Sequence, residues 1–199
     1  MLTTLDQSTL FYTRKLGRAL AAVALSTLAL AALPALAQGS ASTSASGKAA
    51  TVSRDDGKLM VDLAHANLAE IESGKLALQK SQSTPVKTFA QQMVDDHTAA
   101  LKELQTLAQS KGVKLPDSPD MKHKTMAAAL KVMNGTGFDN QYMKRAGVND
   151  HEQTVALLQK VEKTAKDPEL KTMATKMMPT VEHHLEMAQQ SMPKVADKK

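Results

Sequence analysis

Three histidines, His97, His151 and His184, each stand three residues after a valine, near the middle of three separate stretches with helical periodicity. A fourth such stretch carries Glu70 among apolar neighbours at a similar height. Imidazole and carboxylate are ligands for zinc, copper and iron, and both also hold or share protons. Four helices therefore aim polar groups at one interior. If one ion joins all four, metal–nitrogen bonds of roughly 2.0–2.1 Å bring the ligating atoms to about 3–4 Å from one another. The competing reading is a polar core without metal. A histidine on an apolar stripe is usually a neutral imidazole satisfied by a carbonyl or hydroxyl, and a buried carboxylate needs a basic partner. In that case Glu70 is expected to hold a histidinium in an internal ion pair. Both readings stand on the residues alone.

The elements that must position these groups are all helical. Apolar residues recur at three- and four-residue spacing, and no segment alternates like a strand. The pattern predicts helices at about 55–81, 85–111, 119–133, 137–165 and 168–191. Thr84-Pro85, Ser118-Pro119 and Asp167-Pro168 read as helix starts, each a capping side chain before a proline. Gly112 and Asn134-Gly135 read as stops. Short joins make an antiparallel hairpin of the first two helices and another of the last two. The stretch from Gly112 to Gly137 is long enough to cross between them.

At 100° per residue the first helix gathers Leu59, Met60, Leu63, Ala66, Ile71, Gly74 and Ala77 around Glu70, with His65 on the solvent side. Gly74, one turn from Glu70, allows close approach of a neighbouring helix. His97 is central on the second helix's stripe, with Asp95 and Asp96 off it. His184 lies on the last helix's stripe, His183 points away, and Pro179 interrupts that helix. His151 is a flank residue with inward reach, because Leu157 and Val161 face elsewhere on the same wheel. The methionines at 93, 173 and 177 read as core filling.

Residues 1–37 read as a cleavable signal peptide. Arg14, Lys15 and Arg18 precede an apolar run from Ala19 to Leu33, and Ala35-Leu36-Ala37 is a small-x-small cleavage site. The run is short for a membrane span of roughly 20 residues, so the mature chain is expected to have no transmembrane segment and to be periplasmic. Residues 38–53 read as a flexible linker, 54–192 as the helical domain and 193–199 as a basic tail. Cysteine is absent, which excludes disulfides and thiolate metal sites. The net charge of +5 falls to +3 once Arg14, Lys15, Arg18 and Asp6 are removed. With no basic cluster interleaved with aromatic residues, nucleic-acid binding has no support.

Five segments together resemble a known family. They are Glu70-Ile71-x-x-Gly74-x-Leu76-Ala77, Phe89-Ala90-x-x-Met93-x-x-Asp96-His97, Leu107-Ala108 through Gly112 to Leu115-Pro116, Phe138-Asp139-x-x-Tyr142 with His151, and Pro179-x-x-x-x-His184-Leu185. In order and spacing they are similar to the bacterial ferritin-like family catalogued as domain of unknown function 4142. The resemblance implies an exported, all-α, ferritin-like four-helix bundle with a short extra helix in the crossover, and no established reaction. Ferritin-like di-iron enzymes place a glutamate three residues before a ligand histidine. Here Val94, Val148 and Val181 occupy those positions, so a carboxylate-bridged di-iron oxidase is not expected. Three imidazoles and Glu70 instead suit one zinc, copper or iron ion. Asp139 reads as a helix-start carboxylate and Tyr142 as a capping or neighbouring group. The reading that follows is a non-catalytic periplasmic structural or stress-related binding protein. Two others stand beside it: a mononuclear metal-binding or storage protein, and a module adhering to envelope components.

Overall fold

Ser53 accepts the Asp56 amide on its hydroxyl at 3.0 Å and so starts α1 (Arg54–Lys80), where the Gly/Ser/Ala-rich stretch gives way to apolar periodicity. The computed structural model describes residues 52–191, so the segments read as a signal peptide (1–37) and a basic tail (193–199), and nearly all of the one read as a linker (38–53), lie outside the described residues. Those described are all-α, without a strand. Pro85 sits in the first turn of α2 (Thr84–Ser110), although the cap position is Ser83, which makes no side-chain bond. Gly112, at φ 69°, ends that hairpin arm in the left-handed region. The short α3 (Met121–Lys131) starts two residues later than Ser118-Pro119 suggested. Its cap is Asp120, whose Oδ1 accepts the His123 amide at 2.9 Å.

The third long rod is built in three pieces. It runs through α4 (Gly135–Tyr142), a π-helical stretch (Met143–Asp150) and α5 (His151–Thr164). The last rod is α6 (Pro168–Ser191), with Pro179 inside it and Asp167 Oδ1 accepting the amides of Glu169 and Leu170.

Paired residues fix the directions of the rods. Gly74 lies against Ala90 and Val94, and Gly57 against Val113, so α1 and α2 are antiparallel. Glu103 meets Lys176 and Asp96 meets His184, so α2 and α6 are antiparallel. Glu70 meets His151, while Asp56 accepts the amides of Lys166 and Asp167, so α5 runs opposite to α1. It follows that α5 runs parallel to α2, and the chain must climb the full height between them. The climb is visible along α1: Ser118 O lies beside His65 Nδ1 at 3.1 Å, and Lys80 reaches Asn134 Oδ1 at 3.1 Å.

The climbing segment covers a second side of α1, which is why its buried set is wider than one stripe. Ala69 and Ser73 are buried on that side; Ala64 is buried too, as is Asn67, which faces His97 of α2, while Ala66, expected on the core face, is only half-buried. His65 is likewise half-buried against the crossover and not on a solvent face. Two apolar slabs result. One holds Leu59, Met60, Leu63, Leu104, Leu158 and Leu170; the other holds Phe89, Met93, Phe138, Tyr142 and Ala146. On all four rods the polar residues Asn67, Glu70, His97, His151 and His184 fall between the slabs.

Candidate metal centre

Each histidine of the trio comes from a different rod, and the structure brings the three together. His97 is 3%, His151 1% and His184 0% exposed. Their ring centroids are 5.4–5.6 Å apart, and one nitrogen from each ring lies within 4.8 Å of the other two.

The π-helical stretch explains how His151 gets there. Tyr142 and Leu158 are sixteen residues apart and would fall nearly opposite one another, about 160° apart, on a regular α-wheel. Both are fully buried. The wider π turn advances less per residue and brings Phe138, Tyr142, His151 and Leu158 to one side. Val161 is fully buried on that side too, which corrects the expectation that it faces away; Leu157 is half-buried. Gly147 lies within this stretch, where a Cβ would stand 3.0 Å from Ala188 Cβ of α6.

Each ring is held from behind by an oxygen. His97 Nδ1 donates to Asn67 Oδ1 at 3.0 Å, and Asn67 is itself oriented because its Nδ2 donates to Leu63 O at 2.8 Å. His151 Nδ1 donates to Ala146 O at 2.8 Å, a carbonyl of the π-helical stretch. His184 Nε2 donates to Asp96 Oδ2 at 2.9 Å. These acceptors fix the tautomers, leaving lone pairs on His97 Nε2, His151 Nε2 and His184 Nδ1. All three of those nitrogens are buried and have no partner among the protein's own groups.

Glu70 is buried beside the trio but does not join it. Its Oε1 lies 3.7 Å from His151 Nδ1, the nitrogen already engaged by Ala146, and its Oε2 has no partner. Burial, reinforced by the Asp150 carboxylate, raises the Glu70 pKa well above the usual carboxylate range. Burial lowers His151 to about 4, against a favourable bond to Ala146 and with repulsion from His184. His97 is pushed well down by burial and by the other two imidazoles. His184 is lowered by burial, with the Asp96 contact opposing. Burial thus disfavours the charged form of all four groups, which works against the expected Glu70–histidinium pair.

Sequence reasoning missed the acceptors. Asn67 stands three residues before Glu70, and Asp96, assigned to the flank, immediately precedes His97. Both are polar residues at stripe edges next to a candidate ligand, which was the available signal. Asp139 is half-buried with an unpartnered Oδ1. Tyr142 is fully buried and stacks on Phe138 at 6.1 Å, with Phe89 edge-on at 6.2 Å. This aromatic group backs His151 through Phe89.

Comparison with known proteins gives structural likeness at low identity. A DUF305 fragment from Deinococcus radiodurans matches with a TM-score of 0.63 and 12% identity, over 70% of this chain and 96% of that one. CopM in its Cu(II)-bound form matches at 0.57 and 19%, over 68% of this chain and 93% of that one. Its Cu(I)-bound form matches at 0.58 and 17%, over the same shares. At such identities the likeness is one of helical fold. No curated protein matches the chain. The family described as domain of unknown function (DUF4142) matches residues 41–191, and the chain belongs to that family.

Proposed function

We propose that this chain is an exported, ferritin-like four-helix-bundle protein that binds one transition-metal ion, copper or zinc, through His97 Nε2, His151 Nε2 and His184 Nδ1. It acts as a non-catalytic binding protein. One observation carries the reading. One nitrogen of each buried ring lies within 4.8 Å of the other two, and each ring keeps one buried nitrogen unpartnered while its opposite nitrogen is locked by an oxygen acceptor. Leaving three buried acceptors unsatisfied is costly in a structure without a ligand. An acceptor behind each ring is the arrangement that orients metal-ligating histidines. A three-coordinate ion with bonds of roughly 2.0–2.1 Å sets its donors about 3.5 Å apart, so each ring closes by less than about 1 Å.

The donor set favours an ion that accepts neutral imidazole, and thiolate is absent from the chain. CopM lends further support, since that protein of similar fold is known with Cu(II) and Cu(I) bound. In this reading Glu70, whose neutral form burial favours, stands behind His151 and flanks the ion without ligating it.

Native mass spectrometry of the protein released from a periplasmic extract tests both parts of the proposal. The expected species begins at Gln38 and carries one copper or zinc ion. A His97→Ala, His184→Ala double variant begins at the same residue and carries none. A wild type that stays metal-free after incubation with Cu(II) and Zn(II) would refute the binding site. Recovery of the intact chain from Met1, in the membrane fraction only, would refute export.

A further inference from the structure

The trio is buried, but two of its rings, His97 and His184, border the seam between α2 and α6. A cavity of about 180 Å³ lies in that seam, lined by His97 and His184 at its floor. None of the other described cavities is lined by any of the three histidines. Asp96 stands at its edge with a side chain 41% exposed, and the same carboxylate touches His184 Nε2. At the other end Lys176 and Glu103 form an exposed ion pair at 2.9 Å.

We infer that this seam is the port through which the metal ion reaches and leaves the centre, with Asp96 the first carboxylate it meets; the inference rests on the metal-binding reading above. The space is wide enough for several waters, and Asp96, His97 and His184 on its otherwise largely apolar wall can replace them stepwise as a cation sheds its hydration shell. An exposed carboxylate at the lip attracts a cation, and the Met177 thioether on the wall is a soft contact that copper tolerates. The Lys176–Glu103 pair is too exposed to be a firm barrier and opens at little cost. A port governs rates without touching affinity, because obstruction raises the barrier equally in both directions.

That property supplies the test. Thr180→Trp, at an exposed position of α6, and Ala100→Trp, on the facing side of α2, each place an indole in the seam. Cu(II) loading of the purified wild-type chain is followed by stopped-flow absorbance, and release by transfer to excess chelator. Both variants should load and release more slowly by roughly tenfold or more, as gated sites do, with an unchanged equilibrium Kd. Gln153→Trp, exposed on α5 and away from the seam, should keep wild-type rates. Wild-type rates in both seam variants, each with a wild-type circular dichroism spectrum, would overturn the port while leaving the site intact. Slowing by Gln153→Trp to the same extent would overturn it as well. A wild-type chain that takes up no Cu(II) at equilibrium would bring down site and port together.

Discussion

Imidazoles in an apolar interior are tolerated only in their neutral form, and the stability of this protein depends on which residues are asked to stay neutral. His97 sits at the centre of the layer, while His183, adjacent to His184 in sequence, is exposed. His97→Asp forces a carboxylate between Asn67 and two imidazoles and should cost on the order of 3 kcal/mol or more. His183→Asp should cost well under about 1 kcal/mol, as surface substitutions do. Chemical denaturation in the presence of a chelator measures both, so that a new metal ligand at position 97 does not mask the loss. Equal losses would mean that the two side chains do not differ in burial. At this scale the sequence exposed the three histidines, because an isolated polar residue on an apolar stripe is visible without coordinates. It did not expose the acceptors. A carbonyl such as Ala146 O has no sequence signature, and whether Asp96 reaches His184 depends on the distance between α2 and α6. Glu70 was grouped with the histidines because its height matches theirs. Its side chain, however, meets the far nitrogen of His151.

Helix starts, lengths and pairing followed from caps and periodicity to within a few residues, because those signals are local. The third rod did not, because a regular wheel assumes α-helical winding throughout and Met143–Asp150 winds more widely. The apparent disorder of its stripe was itself a trace of the π-helical stretch. Where two rods touch, the sequence also marked the closest approach. A Cβ on Gly74 would lie 2.9 Å from both Ala90 O and Val94 Cγ2, and the first of these is backbone that cannot move aside cheaply. Gly74→Ala should therefore push α1 from α2 and cost on the order of 1–3 kcal/mol. Gly57, in the first turn of the same helix, has only Val113 Cγ2 at 3.8 Å, an ordinary contact. Gly57→Ala should stabilise by about 0.5–1 kcal/mol through reduced backbone entropy in the unfolded chain. Opposite shifts in melting temperature are the expected result. Shifts of the same sign would show that the helix interface is not tight at Gly74.

For the molecule as a whole, the layer between the slabs couples folding to pH in two opposing directions. The pKa values of His97, His151 and His184 are all lowered on folding. Each then contributes stability that is fully present above its ordinary value of 6.5 and is lost as pH falls towards its folded value, about 4 for His151. In this interval the unfolded chain binds protons that the folded chain refuses. For His151 alone the full loss is on the order of 3 kcal/mol. Glu70 has the opposite sign. Its raised pKa makes its contribution most favourable below the ordinary value of 4.5 and erodes it as pH climbs towards the folded value. Three histidines against one glutamate give a protein that, without metal, should melt progressively lower from pH 7 to pH 4. His151→Asn should shallow that decline, since an amide does not titrate. Glu70→Gln should raise stability at pH 7 more than at pH 4. Melting curves across this range, recorded with chelator present, provide the measurement. A His151→Asn variant with the same slope as wild type would show that His151 is not held neutral by the fold. A Glu70→Gln variant equally altered at both ends of the range would remove Glu70 from the balance.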